Sequence, residues 1–292
     1  MPFRQSNSSR LPYELERDIF EIAASVFPET ITAIVLVARR FRIWFEPELY
    51  RVVRSGEDEV IVPPLYKDEG GSTITAISMT SATTLDIPRL QKFGPHVWHV
   101  ILQRRHPEEI EKILECCPNV RNLALWIVGG SCTRLIPLLN DKLIHLRRLS
   151  LDPSCFFENY DVDLSIPLDQ PMFHRLTHLE IVNATSSWSK WRQLAFLPHL
   201  THLALAGVAS QELIDSVLME CEKLEIFVIF YMHRGFLGGD VALLQKDIRV
   251  VLLQSVADHL DHWERGARGE EDFWIAAEQR KRQALMQAIS FS

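Results

Sequence analysis

Pro118-Asn119-Val120-Arg121-Asn122-Leu123-Ala124-Leu125-Trp126 is the stretch that decides the fold. In an extended chain successive side chains alternate, so Leu123 and Leu125 bury on one face while Asn122, Ala124 and Trp126 project from the other. Val120 is out of phase with that alternation and plugs the bend before the strand. Upstream, Pro107–Cys117 carries Ile110, Ile113, Leu114 and Cys117 at helical spacing, with Glu108 and Glu109 in the first turn, where the helix dipole favours anions. The unit is a helix followed by a half-buried strand.

The apolar string recurs along the chain. Its openers are Ile74, Val97, Val120, Leu146, Leu176, Leu200, Leu224 and Ile248, spaced by 23, 23, 26, 30, 24, 24 and 24 residues. A period of roughly 20–29 residues with apolar positions 1, 4 and 6 is the signature of leucine-rich repeats. The expected fold class is α/β: a right-handed leucine-rich-repeat solenoid of seven to eight parallel strands, helices on the convex side. Gln211–Cys221 repeats the helix design with Leu213, Ile214, Val217, Leu218 and Cys221. Between Leu151 and Leu176 the pattern lapses into an inserted loop.

The register also predicts three rows on the front of the sheet, the face turned away from the connecting helices. They read Ala76, His99, Asn122, Arg148, His178, His202, Ile226; then Ser78, Ile101, Ala124, Ser150, Glu180, Ala204, Val228; then Thr80, Gln103, Trp126, Asp152, Val182, Ala206, Phe230. The middle is polar and rich in imidazole, and the far end is apolar, with Val250 and Leu252 extending it. A protein target is expected on this concave face at Trp126, Arg148, His178, Glu180, His202, Ile226, Val228 and Phe230. The apolar end is either an open anchor site or covered by the C-terminal segment.

Composition narrows the function classes. A net charge of −7 leaves no basic footprint for nucleic acid, and the apolar runs Ile31–Ala38 and Ile226–Met232 are too short to span a membrane. The amino-terminal stretch has no apolar signal core, so a cytoplasmic or nuclear protein is expected. The five cysteines lack pairing spacing and no C-x-x-C occurs. Cys117 and Cys221 instead fill the slot that holds Leu143, Phe173 and Leu197 in other repeats, so they read as reduced apolar plugs. The histidine pairs lack the cysteine or carboxylate partners of a metal site, and no acid, base and nucleophile converge. No metal, cofactor or catalytic residue is expected, and an enzyme would require a convergent polar pocket.

The amino-terminal region reads differently. Leu15, Ile19, Ile22 and Ala23 form a helical stripe behind Leu11-Pro12, Phe27-Pro28 breaks it, a second helix starts near Thr30, and a third covers Val37–Phe45, ending before Glu46-Pro47. The strings LPYELERDIFEIA (11–23), VARRFRIW (37–44) and EPELY (46–50) resemble the F-box, the helical module that docks on the Skp adaptor of Skp–cullin–F-box ubiquitin ligases. FPETITAIVL (27–36) stands where that family has an Asp-Leu-Leu-x-Leu-like run. The whole chain, with HWERGARGEEDFW (262–274), is similar to F-box-type repeat proteins of mushroom-forming fungi. The resemblance implies adaptor contacts at Leu11, Pro12, Leu15, Ile19, Phe20, Val37, Phe41 and Trp44. It implies a substrate-recognition subunit that brings a protein target to the cullin complex and does no chemistry itself. The other reading of the same residues is a degenerate F-box that only caps the solenoid of a non-ligase interaction scaffold.

The expected organisation is a disordered 1–10, an F-box-like head at 11–50, a solenoid at 51–255 and a capping helix and tail at 256–292. Asp258–His262 reads as a solvated charged stretch ahead of a helix cap. Trp263, Phe273 and Trp274 lie in a charged stretch and would be a liability if exposed together. They are expected to pack on the last strands, with Phe273–Met286 helical, closing the C-terminal end.

Overall fold

The computed structural model describes residues 11–27, 30–55, 66–67, 73–74, 87–157, 160, 165–185, 187–207, 209–231, 247–255 and 259–290. These fall into two compact units. The expectation of disorder at 1–10 lies outside the described residues. In chain order the strands are β1 (Val52–Ser55), β2 (Tyr66–Lys67), β3 (Thr73–Ile74), β4 (His99–Gln103), β5 (Asn122–Trp126), β6 (Arg148–Leu151), β7 (His178–Ala184), β8 (His202–Gly207), β9 (Ile226–Tyr231) and β10 (Val250–Gln254).

The first unit holds α1 (Tyr13–Val26), α2 (Ile31–Val37) and α3 (Arg39–Leu49), together with β2 and β3, which pair antiparallel. Ala24, Ile31, Ile34, Phe41 and Phe45 make its core, and Arg40 on α3 clamps Glu16 on α1 through two hydrogen bonds of 2.6 and 2.9 Å. The third helix runs past the expected stop, with Pro47 inside it. Only two residues follow that proline, so its missing N–H ends the helix soon after rather than before it.

The second unit is an eight-stranded, all-parallel sheet in the order β1-β4-β5-β6-β7-β8-β9-β10. From β4 to β9 every opener produces its strand. Val97, Val120, Leu146, Leu176, Leu200 and Leu224 are each at most 2 % exposed, and the back-face pairs Leu123/Leu125, Leu149/Leu151 and Leu179/Ile181 stack in one continuous core. Each such side chain contributes about 1.5–3 kcal/mol on burial. The slot three residues before the opener is filled by Cys117, Leu143, Phe173, Leu197 and Cys221. In the Val97 repeat it is Gly94, because a Cβ there would stand 1.9 Å from the Cys116 carbonyl oxygen. Rungs are tied alike: the Arg121 carbonyl accepts from Arg147 and Arg148, that of Arg147 from Thr177 and His178, and that of Thr177 from Thr201 and His202.

A shared backbone feature marks the far ends of four strands, β4, β5, β7 and β8. Seven residues after their openers, Arg104, Ile127, Asn183 and Gly207 all have positive φ (55°, 52°, 60° and 154°). The equivalent of the Leu146 repeat is Pro153, which cannot adopt positive φ. There Asp152 caps a short helix, Pro153–Phe156, instead.

Two repeats depart from the expectation. Ile74 lies in the antiparallel pair with β2, not in the ladder, and the rest of its string (Ala76, Ser78, Thr80) lies outside the described residues. The ladder's first strand is β1, whose Val52 and Arg54 pair with His99 and Ile101. Its short V-V-R-S lacks an apolar opener, which is why periodicity missed it. In β10, Val250 pairs with Phe227 and Val251 with Val228, so Val251 and Leu253, not Val250 and Leu252, face front. The strand is set one residue early because Asp247 holds the bend, accepting from the Arg249 backbone N–H (2.9 Å) and guanidinium (2.7 Å).

Candidate functional site

The front rows align as read: His99, Asn122, Arg148, His178, His202 and Ile226 are consecutive register partners, as are Ile101, Ala124, Ser150, Glu180, Ala204 and Val228. This face carries two tail helices, His259–Ala267 and Phe273–Ser290. The second lays Trp274 and Ala277 on Ala204, Ile226, Val228, Val251 and Leu253, with Phe273 against Phe230. The first lays Trp263 and Ala267 on Val52, Ile101 and Ala124.

The tail therefore covers the front of the sheet rather than closing its C-terminal end, and Trp263 packs on the first strands, not the last. The reason is that the face has two apolar patches. The one around Val52 was hidden by the misplaced first strand. Ile226 and Val228, expected as target contacts, are 2 % and 0 % exposed and belong to this internal packing. His259–His262, expected to be solvated, begins the first tail helix.

Charges fix the two helices. Arg54 on β1, itself buried, pairs with Asp261 and with Glu264 (3.2 Å), and Glu264 pairs with Arg268 (2.8 Å). Asp272 caps the second helix through the Ile275 N–H (2.8 Å) and meets Arg148 at 3.3 Å. The corner between the helices closes because residue 266 is glycine: a Cβ there would lie 2.3 Å from that of Asp272. Farther along, Arg280 donates to the Leu252 carbonyl (2.7 Å) and Lys281 to that of Glu225 (2.8 Å).

Between the apolar patches, over the polar middle, lies a cavity of about 220 Å³. Of the expected target residues, Trp126, Arg148, His178, Glu180 and Phe230 line it; His259, His262, Trp263, Asp272 and Arg280 come from the tail. These tail groups were beyond a strand-by-strand reading, which sees only register neighbours.

Glu180 is buried at the floor, and desolvation pushes its carboxyl up to about 7, opposed by a hydrogen bond with the Ser150 hydroxyl. That hydroxyl also accepts from Trp126 Nε1 at 2.7 Å, so Ser150 is committed to its neighbours. The rings of His178 and His202 stack 4.1 Å apart, 10° from parallel, and both stand nearly perpendicular to the Trp274 ring in T-shaped contacts. The Thr177 and Thr201 hydroxyls lie 2.9 and 2.8 Å from His178 and His202 Nδ1 and 3.2 Å from the Arg147 and Thr177 carbonyls, so each hydroxyl bridges its imidazole to the backbone. Burial holds His178 well below the usual histidine range and lowers His202, there opposed by Glu278 and Glu225, and it holds His99 near 4 with the surrounding arginines adding to the effect.

All five cysteines are free, and burial raises the Cys117, Cys132 and Cys221 thiols to about 12. Such thiols pack as small apolar groups, with almost no thiolate at neutral pH.

On the head unit the expected adaptor residues divide. Leu11, Leu15, Ile19 and Val37 are 50–64 % exposed, Pro12 is exposed, and Phe20 and Trp44 are half-buried. Phe41 is 2 % exposed and packs against Phe20 in a tilted pair and against Trp44 edge to face. It builds the head's core and offers no surface to a partner. Ile22, Val26, Phe27, Leu36 and Ile43 add to the exposed apolar set.

No family model matches the chain, and no curated protein matches its sequence. Among the described residues, no helix is long and apolar enough to cross a membrane.

Proposed function

We propose that this protein is a substrate-recognition subunit of a Skp–cullin–F-box ubiquitin ligase: α1–α3 is an F-box that docks the Skp adaptor, and the strand ladder is a leucine-rich-repeat solenoid. The observation that carries the reading is the apolar stripe of α1. Leu15, Ile19 and Ile22 stay half or more exposed beside a head core that is complete without them. Soluble proteins rarely leave such patches uncovered unless they bind something, and Leu15 and Ile19 are among the residues that resemble the adaptor-binding face of the F-box.

One observation favours the alternative of an interaction scaffold outside any ligase. The tail helices occupy the sheet face where a solenoid subunit would hold its target, so target recognition is not assigned to Ile226 and Val228. Both readings meet the same test. The full chain is mixed with purified Skp adaptor and a cullin amino-terminal fragment and run on a sizing column. Co-elution that is lost in Leu15→Glu/Ile19→Glu, with the melting temperature unchanged, supports the ligase subunit. A wild-type chain that elutes alone overturns it and leaves the scaffold.

A further inference from the structure

We propose that the cavity between the sheet and the tail helices is a binding site for a small organic cation, an ammonium or amidinium group carried on an aromatic body. Three observations carry it, none of which depends on the adaptor reading.

The first is a missing counter-charge. Glu180 is buried and faces the cavity, and among the described residues it forms no ion pair; its partner is the Ser150 hydroxyl. The nearby cations are engaged elsewhere, Arg148 with Asp272 and Arg280 with the Leu252 carbonyl. A buried carboxyl without a cation is costly to ionise, and a ligand cation is the group that would relieve that cost.

The second is the wall. Trp126, Trp263, Trp274, Phe230 and Phe273 surround the space, and aromatic faces attract ammonium and guanidinium groups most strongly in desolvated sites. The indole N–H of Trp126 points to Ser150, so its ring is held in place by the residue that also holds Glu180. The third is size. An apolar cavity of about 150 Å³ accommodates benzene; about 220 Å³ accommodates an aryl ring with a short cationic arm.

The test needs no variant to begin. Tryptophan fluorescence and thermal melts of the full chain are followed at pH 8 with 2-phenylethylamine, tryptamine and benzamidine, each against a neutral counterpart (2-phenylethanol for the first). The cations are expected to bind at least about tenfold more tightly than their neutral counterparts, as a desolvated cation–π contact plus a charge pair implies. Glu180→Gln, which keeps the side chain's shape, is expected to erase that preference while leaving weak binding of the neutral compounds. Equal binding of cation and neutral counterpart by the wild type, or no response to any of the three cations, overturns the proposal. So does a preference that persists in a folded Glu180→Gln chain.

Discussion

The head and the front of the ladder hold apolar side chains in opposite states. On α1, Leu15, Ile19 and Ile22 are 50 %, 52 % and 64 % exposed; on β9 and β10, Ile226, Val228, Val251 and Leu253 are at most 5 % exposed beneath the second tail helix. As sequence the two sets look alike, each an apolar stripe at the period of its element. What separates them is whether this chain supplies the cover. The ladder front is covered in cis by the tail helices, whereas the head stripe has no cover within its own unit and is, on the function proposed above, the surface that the adaptor covers.

Removing the cover breaks the comparison most severely. A chain ending at Gly269 should expose the β9–β10 patch, lose more than ~5 kcal/mol of stability from several uncovered apolar side chains, and aggregate on a sizing column. A truncated chain with an unchanged melting curve would refute the covering role.

Single substitutions sharpen the contrast. Trp274→Ala should cost about 3–5 kcal/mol, as large-to-small core changes do, whereas Leu15→Glu in the head should shift stability by no more than about 0.5 kcal/mol. Denaturant titrations of the two variants measure the difference, and equal losses would mean that the head stripe is also internally packed.

The polar middle should appear in the pH profile. The Glu180 carboxyl is raised from 4.5 to about 7, so the folded state binds the extra proton between those values. Its contribution is complete below about pH 4.5 and is lost as pH rises through about 7. His99, His178 and His202 are lowered and act in the opposite sense, contributing above the ordinary histidine value near 6.5 and losing stability as pH falls toward their folded values. Glu180→Gln removes only the first component. It should stabilise the protein at pH 8, by roughly 3 kcal/mol at most for a shift of this size, and give no advantage near pH 4. An equal effect at both pH values would show that ionisation of Glu180 is not responsible.

The smallest effect concerns Ile127, a β-branched residue at φ 52° and 58 % exposed. Left-handed backbone costs an L-residue about 1–2 kcal/mol, so Ile127→Gly should raise stability by ~1 kcal/mol, with little packing lost. A decrease would show that the Ile127 side chain contributes more than its exposure suggests.

The ladder was legible because its rule is local: Val120, Leu123 and Leu125 state the register in six residues, and each strand needs only its neighbour. The same locality explains what was missed. β1 lacks an opener, β10 substitutes the Asp247–Arg249 bend for one, and Gly94 looks unlike the plugs it replaces. Five of the eight expected front-face residues line the cavity, yet half of its character comes from the tail. Trp263, Phe273 and Trp274 announced that the tail must pack somewhere, but a charged segment carries no period that names its partner strand. Phe41 shows the converse limit: resemblance marks a position without saying which way its side chain points.

The pairing of Arg54 with Glu264 joins residues 210 apart in sequence, across a ladder whose strands hydrogen-bond only to their neighbours. During synthesis at about 5–20 residues per second, the arginine leaves the ribosome roughly 10–40 s before its partner is made. For that interval the rungs can zip up behind one another by short-range contacts, while both apolar patches of the sheet wait uncovered. The nascent chain is thus most vulnerable after β10 has been made and before the two tail helices follow it, and those helices are the ones that end the exposure.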